Sequence, residues 1–275
     1  MVTEFRGQWS KEACQSCNQQ FTCIGCSWLG RKAYRKFMLE RMLHKQLPPT
    51  QAMIEGLRKH EEIEKNSGAK KYNVDSKYFW SKLKDTKKII IAEPHICSRK
   101  LGLSGHPDQM TITIKKNPDR VFFDILELKG RWMKTYWLQP YGYAMIVADP
   151  LFLMGEYQFY LKLGLENAYV NVTATLQPYY NSQYQKTITI LENNRFTHPQ
   201  IKMAVLAQRR RYLDIISLKR VDETLPKCEP CNPDECSFYE YCKTHMPTKQ
   251  LTLYQTCKVR CKRKKPILKH ILITR

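Results

Sequence analysis

A lone carboxylate followed by a carboxylate-x-lysine, carried on neighbouring strand-like stretches, constrains this chain more than anything else in it. Gly105-His106-Pro107-Asp108 leads into Gln109–Lys115, whose alternation predicts a strand. Val121–Lys129 predicts a second, strongly apolar strand ending in Glu127-Leu128-Lys129, with a turn at Asn117-Pro118-Asp119-Arg120 between the two. Strand side chains alternate in direction, so Glu127 and Lys129 share a face. Asp108 can approach that face from the neighbouring strand. Unpaired buried charge is costly, so an apolar strand carrying Glu-x-Lys needs a partner for its charges. A structural ion pair is one answer. The other is a divalent cation held by two hard oxygen ligands, with Lys129 orienting or deprotonating a water beside a scissile phosphate.

The overall charge suits a phosphate-rich partner. The 275 residues hold 46 Lys and Arg against 25 Asp and Glu, a formal net charge of +21. Such an excess favours DNA, RNA or an acidic membrane surface; basicity without a specific ligand is the plainer reading. A chain of this length can bury a substantial core as one elaborated domain, or one domain plus a small module. No run of eighteen or more apolar residues predicts a membrane span, and the stretch Met1-Val2-Thr3-Glu4-Phe5-Arg6 lacks the apolar region of a secretory signal. A reducing, cytoplasmic setting is therefore expected.

Most of the eleven cysteines lie towards the two ends. Cys14, Cys17, Cys23 and Cys26 form CxxC-x5-CxxC; Cys228, Cys231, Cys236 and Cys242 form CxxC-x4-C-x5-C. Cys257 and Cys261 fall in a basic tail, and Cys97 stands apart. In a reducing compartment paired CxxC groups read as metal ligands before disulfides. A cluster drawing on both ends would tie them together across the fold.

Helices are predicted over 27–46, then from about Thr50, where a threonine can cap. On the second, Met53, Gly56, His60 and Ile63 fall on one face. A glycine one turn before His60 lets the helix approach a sheet and aims the imidazole inward; a surface histidine in a charged helix is the alternative. Residues 66–86 read as loop and short helix, Ile89–Ala92 as a buried strand, and Glu93–Gly105 as turn. Gln139 and Tyr143 share a helix face if the helix begins around Pro140. Further strands are predicted at Tyr157–Leu163, Tyr169–Leu176 and Lys186–Leu191, with a hairpin-like connection over Pro178–Gln185. Phe196–Leu218 predicts a long helix whose Arg209-Arg210-Arg211 is either a phosphate-contact patch or a solvated face.

Taken in order, Gly56-x3-His60, Gly105-x2-Asp108, Glu127-x-Lys129, Gln139-x3-Tyr143 and a closing cysteine cluster resemble the RecB-like branch of the PD-(D/E)XK nucleases. Within it the cysteines resemble the iron–sulfur, Cas4-like group. The resemblance runs from about Cys26 to Cys242; no phosphate-loop motif of a helicase motor accompanies it. It implies an α/β restriction-endonuclease-like core, a mixed central sheet flanked by helices. That core would span 47–222, between a cysteine-containing segment at 1–46 and a second at 223–246, with a basic tail at 247–275.

The resemblance also implies roles. His60, Asp108, Glu127 and the carbonyl of Leu128 would hold Mg²⁺ or Mn²⁺. Lys129 would position the water, and Gln139 and Tyr143 would support the catalytic face. Cys26, Cys231, Cys236 and Cys242 would bind a [4Fe–4S] cluster, with Cys228 as the alternative to Cys231; the surplus thiols could form a second site or stay free. The implied activity is cleavage of single-stranded DNA or DNA ends, more in the manner of an exonuclease, with other DNA-processing or CRISPR-adaptation proteins as possible partners and no membrane. The alternative from another class is a zinc-stabilised, non-catalytic nucleic-acid-binding protein. It explains the charge and the cysteines and leaves the ordered acidic set without a purpose.

Overall fold

A computed structural model describes residues 23–30, 49, 51–66, 68–130, 134–178 and 184–217. The expectations for Cys14, Cys17, residues 31–46 of the predicted 27–46 helix, Cys228, Cys231, Cys236, Cys242 and the basic tail lie outside the described residues. In chain order the elements are β1 (Ile24–Gly25), α1 (Cys26–Leu29), α2 (Gln51–Asn66), α3 (Lys77–Thr86), β2 (Lys88–Ala92), β3 (Ile96–Ser98), β4 (Leu103–Gly105), β5 (Gln109–Lys115) and β6 (Arg120–Lys129). A 3₁₀ turn (Lys134–Trp137) then leads into α4 (Leu138–Val147), β7 (Leu153–Met154), β8 (Tyr157–Gln158) and α5 (Phe159–Leu163). The last elements are β9 (Tyr169–Pro178), β10 (Lys186–Glu192), β11 (Arg195–Phe196) and α6 (Pro199–Ser217). The fold is mixed α/β, with two mixed sheets flanked by helices.

The larger sheet runs β11-β10-β9-β6-β5-β2, and its β6–β9 pair is parallel among antiparallel neighbours. Strand parity decides what faces the core. On β5, Met110, Ile112 and Ile114 are buried in alternation, and on β6 Val121, Phe123 and Ile125 are. Carrying that odd-numbered face two and four residues further reaches Glu127 and Lys129. Both charges therefore sit on the core side of the strand at its C-terminal end. The antiparallel register pairs Gln109 with Leu126, which sets Asp108, one residue earlier, beside Glu127.

The second sheet, β1-β4-β3-β7-β8, was not expected. Glu93–Gly105 is not a turn: it carries β3 and β4, three residues each, which are too short for a period of two to be visible. Gly102, at φ +56°, makes the reversal between them. The predicted strand at Tyr157–Leu163 is also corrected. Only Tyr157–Gln158 pairs, with β7, and Phe159 begins a helix that Gly164 stops at φ +68°. A short apolar run of this kind suits either structure, and tertiary packing decided it. The long C-terminal helix starts at Pro199, not Phe196, because Phe196 closes the β10–β11 hairpin.

α4 is buried on every side, from Gln139 to Val147. Such all-round burial belongs to a helix with structure packed around it, and α4 touches α1, α6, β3, β4, β9 and β10. It begins at Leu138, earlier than the Pro140 start the sequence predicts, and Trp137 caps it without a side-chain hydrogen bond. Pro140 is its third residue, still within the first turn, where backbone N–H groups have no helical acceptor to lose. Gly142 allows α1 to approach: a Cβ there would stand 2.6 Å from Leu29 Cδ1 and 2.8 Å from Cys26 Sγ. The Tyr212 hydroxyl of α6 donates to the Trp28 carbonyl at 3.0 Å and holds α1 from the other side.

Gly142→Ala should force α1 and α4 apart. A loss of roughly 1–3 kcal/mol, the usual cost of overpacking, is expected in chemical denaturation. Unchanged stability would mean that the α1–α4 contact is not tight.

Candidate active site

Four elements bring the predicted residues to one end of the larger sheet. β6 supplies Glu127 and Lys129, the residue before β5 supplies Asp108, α4 supplies Gln139 and Tyr143, and α2 supplies His60. Glu127 is fully buried, and its Oε2 accepts from Lys129 Nζ at 2.7 Å and Gln139 Nε2 at 2.8 Å. Lys129 Nζ also donates to Gln139 Oε1 at 2.9 Å, which closes a ring of three side chains. Gln139 Nε2 further donates to the Tyr143 hydroxyl at 2.8 Å, and that hydroxyl donates to the His106 carbonyl at 3.2 Å. The i, i+4 spacing on α4 is what lets Tyr143 brace Gln139 beside the carboxylate.

Asp108 is held separately. Its Oδ2 accepts from the Leu128 backbone N–H at 2.6 Å, and its Oδ1 lies 3.0 Å from His60 Nε2. Gly105 is a steric requirement: any Cβ there would overlap the Tyr143 ring. The first position of Gly105-x2-Asp108 and the last of Gln139-x3-Tyr143 thus touch, although 37 residues separate His106 from Tyr143.

The second oxygen, Glu127 Oε1, is buried and has no hydrogen-bond partner. Burial, and after it the charge of Asp108, pushes the Glu127 carboxyl up to about 7, against the opposing pull of Lys129. The same burial, followed by the Glu127 charge, holds the Tyr143 phenol well above its ordinary value, so it stays a neutral donor. Among the described residues, no three His, Cys, Asp or Glu side chains stand as a ready metal-holding group. His60 is turned onto Asp108, and Lys129 occupies one face of Glu127. The orphaned Glu127 oxygen beside a second carboxylate is nonetheless what a hard divalent cation would satisfy, and His60, Asp108 and Glu127 have suitable donor atoms. For Leu128 the contact in place is its N–H on Asp108.

Cys26 is fully buried in α1 against α4, and burial, then the Glu127 charge, pushes its thiol up. Cys23 and Cys97 are buried together with Leu153. In the arginine triplet, Arg209 lies against Gly102 of the β3–β4 turn, and Arg210 is exposed and paired with Asp214 at 3.0 Å.

One residue escaped the sequence reading. Glu93 follows β2 in the left-handed region, at φ +48°, a conformation that costs a non-glycine residue roughly 1–2 kcal/mol. Its N–H donates to the Asp108 carbonyl at 3.1 Å, its Oε1 lies 4.0 Å from His60 Nδ1 and its Oε2 3.2 Å from Lys71 Nζ. His60 therefore stands between two carboxylates, and the strained backbone is where Glu93 joins the site. The β2–β5 register brings it there, since Ala92 pairs with Gln109 beside Asp108, and that pairing is not displayed by the sequence. His95 and His106 add a pair of imidazoles, with ring centres 4.7 Å apart and planes tilted by 34°, on the same rim.

A carboxyl whose folded pKa is raised contributes stability below its unfolded pKa and loses it as pH rises through the folded one. For Glu127 that window runs from the ordinary 4.5 to about 7. In EDTA, stability should fall as pH rises across that window, and Glu127→Gln should remove much of that slope. Thermal melts across the window test this; parallel curves for the two proteins would contradict it.

No protein-family model matches this chain, and no curated protein does either.

Proposed function

We propose that the protein is a metal-dependent deoxyribonuclease that hydrolyses phosphodiester bonds, acting on single-stranded DNA or DNA ends, with a core of the PD-(D/E)XK type. One observation carries the reading: a fully buried glutamate at a strand end, with one oxygen saturated by Lys129 and Gln139, the other without a partner, and a second carboxylate beside it. A purely structural ion pair would need Glu127 and Lys129 alone. It would leave the orphan oxygen, Asp108, His60 and the strained Glu93 unaccounted for.

His60, Asp108 and Glu127 would hold Mg²⁺ or Mn²⁺, which when bound supplies a Lewis acid for the phosphate and lowers the pKa of a coordinated water. The chain's own groups do the rest. Lys129 places its Nζ between Glu127 and Gln139, at the edge of solvent, where it can orient water and stabilise negative charge developing on phosphate oxygens. Gln139 fixes the same Glu127 oxygen that Lys129 bonds, and the Tyr143 hydroxyl fixes Gln139. The Leu128 N–H holds Asp108 in place. The net charge of +21 supplies long-range attraction for the polyanion.

The same reading assigns a [4Fe–4S] cluster to Cys26, Cys231, Cys236 and Cys242, with Cys228 in reserve. Thiolates suit that group, and Cys26 is the one of these ligands among the described residues. Because bound metal contributes folding free energy, loss of a cluster ligand should lower stability as well as iron content.

Lys129→Ala and Asp108→Ala should each reduce Mg²⁺- or Mn²⁺-dependent cleavage of end-labelled DNA by at least about 10²-fold while DNA binding persists. Full wild-type turnover in EDTA would contradict the metal role. Cys242→Ser should lower both the iron content and the melting temperature of the purified protein; unchanged values would remove Cys242 from the ligand set.

A further inference from the structure

The site's basic neighbour Lys71 opens onto a surface of tyrosines and lysines that the proposed chemistry does not use. Lys70 bridges Ile91 at the edge of β2, and its carbonyl accepts from the Ala92 N–H at 3.0 Å. This fixes the 70–72 segment beside Glu93, to which Lys71 is paired. The next residue, Tyr72, packs its ring 5.8 Å from that of buried Phe79. Lys82 Nζ donates to the Tyr72 hydroxyl at 3.0 Å and lies 5.2 Å from the Tyr72 ring centre and 5.8 Å from that of Tyr78. One ammonium is thus held beside two aromatic rings.

Helical spacing turns Phe79, Trp80 and Leu83 of α3 into the core and leaves Tyr78 67% exposed. At the other edge of the Phe79–Trp80 pair, Tyr157 packs 5.7 Å from Trp80 and carries Lys162 Nζ 4.4 Å from its ring centre. The β7–β8 turn that leads to Tyr157 is tied back to the site's rim, because Gly155 N–H donates to the His95 carbonyl at 3.3 Å. Anchored rings with ammonium groups beside them, connected to the carboxylate site through Lys71, form a path with a chemical preference. The ammonium groups attract phosphate. A ring exposed to solvent stacks on a base only if that base is already unstacked from its neighbours.

We infer that Tyr72, Tyr78 and Lys82, with Tyr157 and Lys162, form a stacking track that binds single-stranded nucleic acid next to the carboxylate site. This rests on the proposed nuclease reading for what lies at its end, but binding can be measured without cleavage. Duplex is disfavoured here because its base faces are covered. An acidic protein or an anionic membrane would use the lysines and not the exposed ring.

The experiment is fluorescence anisotropy of the full-length protein in EDTA, with labelled oligothymidine, oligouridine, a base-free strand of the same length and a duplex. Tyr78→Ala should weaken binding of the two base-bearing strands about tenfold and leave the base-free strand and the duplex near their wild-type values. Tyr78→Phe should retain wild-type affinity, which separates stacking from misfolding. Lys82→Ala should reduce the salt slope by about one, and Lys84→Ala, on the same helix outside the track, should weaken binding less. A base-free strand bound as tightly as oligothymidine, or Tyr78→Ala without effect, would overturn the track. So would Lys82→Ala abolishing binding to phosphatidylserine vesicles while oligothymidine binding is unaltered. Failure of every metal to support cleavage would count against the nuclease reading and leave these binding results standing.

Discussion

The buried carboxylate of Glu127 is the interaction on which the site depends. It ends the core-facing side of β6, where alternation would otherwise place another apolar residue. A charge in that position is tolerated because Lys129 and Gln139 bond one oxygen, and even so burial and Asp108 push its carboxyl up to about 7. The other oxygen is unsatisfied. A fold that accepts this cost at a strand end, next to a second carboxylate and a histidine, carries an uncompensated polar group that core packing alone does not account for.

The rest of the architecture serves that strand end. The β5–β6 register sets Asp108 beside Glu127, and the β2–β5 register brings Glu93 to the same edge. α4, enclosed by both sheets and by α1 and α6, carries Gln139 and Tyr143 to the carboxylate from above the sheet. Two glycines make the close packing possible: Gly105 under the Tyr143 ring and Gly142 under Cys26 and Leu29. The second sheet contributes Gly105 and the His95–His106 rim, so the smaller layer completes the site that the larger one presents.

Much of this was legible in the chain. β2, β5, β6, β9 and β10 emerge near their predicted positions because long alternating or apolar runs carry a strong period. The ordered set of His60, Asp108, Glu127, Lys129, Gln139 and Tyr143 was likewise nameable, and His60, Asp108 and Glu127 each find contacts within it. The misses have local causes. β3 and β4 are too short to display a period, and Phe159–Leu163 is apolar enough for either a strand or a helix. Glu93 was invisible because nothing in Ala92-Glu93-Pro94 marks a left-handed backbone; that conformation follows from its N–H bonding the Asp108 carbonyl.

The sequence by itself determined which residue types were available and on which face of each strand they would fall, since parity along an extended chain needs no tertiary information. Glu127 and Lys129 had to point the same way wherever β6 lay. Only the tertiary structure decided what met them there. The strand registers, the depth of α4 and the approach of α2 are set by packing between segments far apart in the chain. Those long-range contacts turned Lys129 and Gln139 onto one Glu127 oxygen, left the other bare, and placed His60 between Asp108 and Glu93.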